Sequence, residues 1–164
     1  MIRRRYREDT VALFIIGKPC VWHRNEMSAR FFILVDPSRD LVRIKLSGLY
    51  EVSDVEDFVR ARNKAHEALR CRPNQHLTLS DVREMKIQSQ QVVAAFRNLL
   101  GDPRHRSRKL AFLIRPSLTM RQLVRAIDQR DAQCFGEESD ALRWLLASDL
   151  ATTQDMRLVS GTGH

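Results

Sequence analysis

The feature that most limits the fold of this chain is a repeated change of hydrophobic period. In "LVRIKLSG", residues 41–48, Val42, Ile44 and Leu46 alternate with Arg43, Lys45 and Ser47. A period of two belongs to a strand with one buried face. In the following "SDVEDFVRARNKAHEALR", Val55, Phe58, Val59, Ala65 and Leu69 fall on one helical face, with charges on the other. Segments further along switch period again, and a chain that does so folds as layers of sheet and helix.

The elements follow in order. "FFILV" (31–35) joins the strand at 41 through "DPSRD", whose Asp, Pro and Ser mark a tight turn. Ser53 with Glu56 three residues on predicts a capping box, and the first helix stops near "CRPNQ". "HLTLSD" (76–81) reads as a short strand. Val92, Val93, Phe96, Leu99 and Leu100 place a second helix over about 89–100, opened by Ser89 and ended by Gly101 and Pro103. "KLAFLI" (109–114) is apolar throughout, as suits a central strand covered on both faces. After Pro116 and Ser117 a third helix spans "TMRQLVRAIDQR", burying Met120, Leu123, Val124 and Ile127. "AQCF" (132–135) is a last strand and "EESDALRWLLA" a closing helix. The order ββαβαβαβα predicts an α/β layer fold whose later strands are largely parallel and joined by crossover helices.

At 164 residues and 43% hydrophobic, the chain is long and apolar enough for one cored domain. We expect that domain over 27–148, after an N-terminal extension (1–26) and before a flexible tail (149–164). Met27 is an alternative start, because "MSARFFILVDPSRD" opens as a complete strand and turn. "MIRRRYREDT" before the apolar "VALFIIG" invites a signal-peptide reading, but Glu8 and Asp9 interrupt the basic region and Lys18 and Pro19 end the apolar one early. That apolar run is also too short to span a bilayer. Cys20, Cys71 and Cys134 are too scattered for a disulfide framework and fit reduced thiols in a bacterial-type cytosol.

The stretches "VRIKLSGLYEVSDVEDF", "HLTLSDVREMKIQSQQVVAAF", "RKLAFLIRPSLTMRQLVRAI" and "CFGEESDALRWL" resemble the SpoIIAA-like proteins, small bacterial members of the STAS fold group. The resemblance covers residues 30–147 and rests on Gly48 with Tyr50, Asp81, the "LAFLI" strand and "ALRWL". It implies a four- or five-stranded, partly parallel sheet with helices mainly on one side, and a cytoplasmic, non-enzymatic or uncharacterised role. Anti-sigma-factor antagonists of this group carry an Asp-Ser-Ser-Gly-type turn whose serine is phosphorylated. Here the stretch is "IQSQQVV": Gln88 stands where the aspartate would be, and the glycine is absent.

If the strands from 41, 76, 109 and 132 are parallel, their carboxyl ends share one sheet edge, where open α/β sheets bind ligands. Gly48, Tyr50, Asp81, Arg115, Ser117 and Phe135 would surround that surface, with Ser89 close by. A helix N-terminus beside Arg115 suits a phosphate or anionic headgroup. The plainer reading is that Asp81 caps a turn, Ser89 and Ser117 cap helices, and Arg115 is solvated. Ser89 is first an N-cap and second a candidate phosphorylation site.

Other chemistry finds less support. The net charge of +8 and pI near 10.1 call for anionic partners to be considered. "RHRSRK" (residues 104–109) with Arg97 makes a basic patch, but an aromatic platform or recognition helix for nucleic acid is not evident. His66, His76 and His105 show no ligand spacing, Cys71 with His76 is an isolated pair, and no metal or cofactor is expected. Gly-x-Ser-x-Gly elbows and phosphate loops are absent from the sequence. Trp144, beside Leu142, Leu145 and Leu146, packs on the sheet or anchors a homodimer. The expected function is thus a non-enzymatic STAS-type protein-interaction module. The alternative is a carrier of a small anionic or lipid-like ligand, with its headgroup near Arg115 and its apolar part between helices.

Overall fold

The computed structural model describes residues 12–14, 27–115 and 132–147. The strands are β1 (Ala12–Phe14), β2 (Arg30–Asp36), β3 (Leu41–Gly48), β4 (Leu77–Met85), β5 (Lys109–Leu113) and β6 (Ala132–Phe135). The helices are α1 (Val52–His66), α2 (Gln90–Gly101) and α3 (Glu138–Leu146), with a short 3₁₀ turn at Pro103–His105. The strands lie in the order β1-β2-β3-β4-β5-β6. The first two pairings are antiparallel and the remaining three parallel. This is the mixed, largely parallel α/β sheet that the changing period predicts. The expected third helix and Ser117 lie outside the described residues, as does the tail from 149 on.

Two cores sit on the two faces of the sheet. On one, Ile33, Val35, Val42, Ile44, Leu46, Val82, Leu110 and Phe112 pack against Val55, Phe58, Val92 and Phe96 of α1 and α2. On the other, Leu41, Leu77, Leu79, Ala111 and Leu113 pack against Ala141 and Leu145 of α3. Strand alternation explains the division, since neighbouring residues point to opposite faces. β5, apolar at every position from Leu110 to Leu113, serves both cores.

The turns are held by aspartates. In the β2–β3 turn, Asp36 Oδ1 accepts from the Ser38 N–H at 3.0 Å and from the Ser38 hydroxyl at 2.6 Å. Asp40, in the left-handed region at φ 49°, accepts from the N–H groups of Arg70 and Cys71 at 2.8 and 3.0 Å. That carboxylate ties the hairpin to the loop leaving α1. At the other end of β3, Gly48 has φ +83°, and a Cβ there would collide with the Ser28 carbonyl. Glycine is therefore needed for both conformation and space.

Two local expectations fail. The cap of α1 is shifted two residues toward the N-terminus: Glu51 is the N-cap, and the Asp54 carboxylate accepts from the Glu51 N–H at 2.9 Å. Ser53 and Glu56 sit inside the helix. The strand expected at 76–81 runs on to Met85. An irregularity in register opposite Lys45–Ser47 breaks the alternation there, and the added segment is held by polar pairs such as Lys45 Nζ to Glu84 Oε1 at 2.7 Å. Hydrophobic periodicity could not show it. Asp81 consequently lies within the strand, opposite Lys45 and Leu113, rather than at its end.

Candidate functional site

On β4 the side chains facing α1 and α2 are not aliphatic at every step. Thr78 and Ser80 are buried there, while Leu77 and Leu79 on the same strand enter the α3 core. Above this polar floor is a cavity of about 150 Å³. Its apolar walls come from Ile44 and Leu46 of β3, Phe58 of α1, Val93, Phe96, Leu99 and Leu100 of α2, and Leu110 and Phe112 of β5. Among the described residues that line it are Arg62, Lys86, Arg97 and Arg115, and no aspartate or glutamate; the Arg83 guanidinium turns away to pair with Asp81 on the other face.

The cavity runs along the strands. Lys86, Gln88 and Arg115 belong to its end at the carboxyl edge of the parallel sheet. Arg62, His66, Thr78, His105 and Ser107 belong to its end at the amino edge. His76 stands behind the latter group, 3% exposed, with Nε2 3.2 Å from Ser107 Oγ. Ser107 Oγ is 2.6 Å from Thr78 Oγ1. The rings of His66 and His76 lie 4.5 Å apart and those of His66 and His105 5.7 Å apart. His105 Nδ1 is 3.3 Å from Asp102 Oδ2.

His66 and His76 are kept neutral by their surroundings. Burial, with positive potential from His76, Arg62 and His105, holds His66 down at about 3. Burial, Arg62 and His105 hold His76 at about 4, against an opposing pull from Asp40. Ser107 and His76 have the spacing of a nucleophile and its base. Yet a base of such low proton affinity draws a proton from a hydroxyl poorly at neutral pH. No group of three or more potential metal ligands is arranged to hold an ion among the described residues.

The residues singled out from the sequence are divided by the sheet. Arg115 is exposed and lines the cavity. Asp81 belongs to the opposite face, where Arg83 Nε and Nη2 donate to its carboxylate at 3.0 and 2.8 Å. Burial raises its proton affinity, but the hydrogen bonds and charge of Arg83 outweigh that and hold it below the usual carboxylate range. Tyr50 is a core residue: its hydroxyl donates to the Arg30 carbonyl at 2.6 Å, and its ring meets Phe96 edge-on at 5.5 Å. Burial pushes the phenol well above its ordinary value. Phe135 packs with Trp144 in the α3 core, at 5.8 Å between rings. Ser89 is the N-cap of α2, accepting from the Val92 N–H at 3.3 Å.

Gln88 occupies a junction that the sequence presented only as a lost motif. Its side-chain carbonyl accepts from the Tyr50 N–H at 2.9 Å, and its amide donates to the carbonyls of Gly48 and Lys86 at 3.0 and 2.7 Å. An ionised aspartate accepts only, and could not make the last two bonds. The signal for this role was present in the unusual residue type, but its partners lie 38 and 40 residues away.

No protein-family model and no curated protein matches the chain. Among solved structures, an uncharacterized protein of the DUF3478 family with a SpoIIAA-like fold, from Shewanella loihica PV-4, aligns over 75% of this chain and 99% of its own. The TM-score is 0.59 and the identity 17%. An anti-sigma factor antagonist from Mycobacterium paratuberculosis aligns over 70% and 93%, at 10% identity and a TM-score of 0.47. The first likeness establishes a SpoIIAA-like fold for this chain. No described helix is long and apolar enough to cross a membrane.

Proposed function

We propose that this chain is a non-catalytic binding domain that holds a small amphiphilic anion in the cavity beneath α1 and α2. The observation that carries the reading is the lining itself: apolar walls joined by arginine and lysine without a carboxylate among the described residues. Apolar walls favour a hydrocarbon body. Positive side chains at the cavity's carboxyl edge favour an anionic head, with Lys86 and Arg115 as its partners. A cavity of about 150 Å³ takes a benzene-sized body. The fitting ligand is therefore a short alkyl or aryl acid, and a long-tailed lipid is disfavoured. His76, with its low proton affinity and its contact to Ser107, supports binding over hydrolysis.

The test is calorimetric titration of the full chain with phenylpropanoate and with its neutral alcohol analogue. The acid should bind one to one and the alcohol at least about tenfold more weakly. The double variant Lys86→Gln, Arg115→Gln should erase that preference. Lack of binding by either compound at millimolar concentration would remove the reading.

A second reading keeps the regulatory protein-interaction role implied by the SpoIIAA-like resemblance. Its supporting observation is Ser89, exposed at the start of α2, where a phosphoryl group would meet free backbone N–H groups. Mass spectrometry of protein from its native host tests it. Unmodified Ser89 across growth and stress conditions would end that version.

A further inference from the structure

The polar floor of the cavity holds one hydroxyl more than the chain bonds for itself. His76, Thr78 and Ser80, alternate residues along β4 and its approach, are buried at 3%, 5% and 6% exposure. The first two are served within the chain, since Ser107 Oγ lies 3.2 Å from His76 Nε2 and 2.6 Å from Thr78 Oγ1. Ser80 is different: its hydroxyl has no hydrogen-bond partner among the described residues. Leaving a buried hydroxyl unbonded costs free energy that an alanine there would avoid. Asn74 Oδ1 is the one fully enclosed side-chain polar atom without a partner among the described residues. The Ser80 oxygen therefore keeps a face open to the cavity that this residue lines.

The surroundings limit what that hydroxyl can meet. In the parallel register Ser80 lies between Ile44 and Phe112, and Phe58 and Phe96 line the same cavity. Aromatic walls around a space of about 150 Å³ suit a single ring. Arg115 follows Phe112 by three residues, so its backbone stands about 10 Å along the sheet from Ser80. A ring with a short carboxylate arm spans the gap between the two side chains. A hydroxyl both donates and accepts, so it matches the serine in either direction. Resting on the reading of the cavity as a site for an amphiphilic anion, we propose that Ser80 determines specificity by hydrogen-bonding a hydroxyl on the ligand's ring. The ligand class is then a hydroxyaryl acid, with its carboxylate at Lys86 and Arg115, its ring against the phenylalanines and its phenol oxygen on Ser80. A methyl group in place of that hydroxyl fills the same space but leaves the serine desolvated and unbonded, which is the basis of selection.

Para-hydroxyphenylpropanoate and para-methylphenylpropanoate test the assignment, since they share shape and charge and differ in the hydrogen-bonding group. Hydrophobicity alone favours the methyl compound. Calorimetric titration of the full chain should nonetheless give at least about tenfold tighter binding for the phenol. In Ser80→Ala that preference should vanish or invert, with the methyl compound bound at least as well as before. In Thr78→Val, which removes a hydroxyl already bonded to Ser107, the preference should persist. Equal affinity of the two acids for the unsubstituted chain would overturn the role of Ser80 and leave the cavity reading intact. A preference that survives Ser80→Ala, or one lost as fully in Thr78→Val, would also overturn it by placing the phenol elsewhere. Failure of both acids to bind at millimolar concentration would overturn this role and the cavity reading together.

Discussion

The two faces of the sheet are built to different standards. The α3 face is closed: Leu41, Leu77, Leu79, Ala111 and Leu113 meet Ala141 and Leu145 with every one of them buried. Its charges stay at the margin, as in Arg43 Nη1 to Glu138 Oε1 at 2.5 Å and Lys109 Nζ over the Trp144 ring at 5.5 Å. The face toward α1 and α2 has a larger core yet encloses a cavity, a hydroxyl floor and three clustered histidines. β4 belongs to both and makes the contrast sharp, giving Leu77 and Leu79 to one side and Thr78 and Ser80 to the other. One face serves stability, and the other keeps space and polarity that stability alone would remove.

The largest effect should come from breaking the closed face. Leu145→Ala removes a fully buried side chain from a core without slack, and should cost about 2–5 kcal/mol in denaturant unfolding. Thr78→Val on the open face removes only the hydroxyl shared with Ser107, and should cost at most about 1.5 kcal/mol. Equal costs would dissolve the distinction between the faces.

Acid should act on the open face. His66 and His76 bind protons more weakly when folded, at about 3 and 4, than an ordinary histidine does at 6.5. Between those limits the unfolded chain holds more protons, so stability falls as pH is lowered from about 6.5 toward 4. The slope is at most about 1.4 kcal/mol per pH unit for each histidine. A thermal midpoint falling across this range, and falling less in His66→Gln, checks it. The contribution is fully present above pH 6.5.

A smaller effect belongs to the junction at the carboxyl edge. Gln88→Asp restores the acid of the phosphorylated-turn motif but loses both amide donors, leaving the Gly48 and Lys86 carbonyls without this partner. We expect a loss of about 1–3 kcal/mol, read from denaturant midpoints. A neutral result would mean that the clasp is dispensable and the motif position free to vary.

The elements were legible in the sequence wherever apolar residues kept a period. The strand at 41–48, the helix opened by Ser89 and the apolar strand at 109–113 are all in place because their faces are set by neighbours three, four or two residues away. Legibility ended where polar contacts replaced the period. β4 beyond Asp81 is held by Lys45–Glu84 and by a register shift, and α1 begins on Glu51 and Asp54 rather than Ser53. The carboxyl-edge surface drawn from strand ends was divided by one fact of alternation: Asp81 belongs with Leu77 and Leu79, on the side away from Arg115.

The sequence by itself determined the layered α/β architecture, the hairpin, the glycine at 48 and the cap at 89, because each follows from local spacing or a single backbone demand. Only the tertiary structure decided that His66, His76 and His105 are one cluster. They come from the end of α1, the approach to β4 and the 3₁₀ turn after α2, so no spacing along the chain connects them. The parallel crossovers return each of these segments to the same edge of the sheet, and it is that return, with Thr78 and Ser107 between, that makes three unremarkable histidines into the polar end of a cavity.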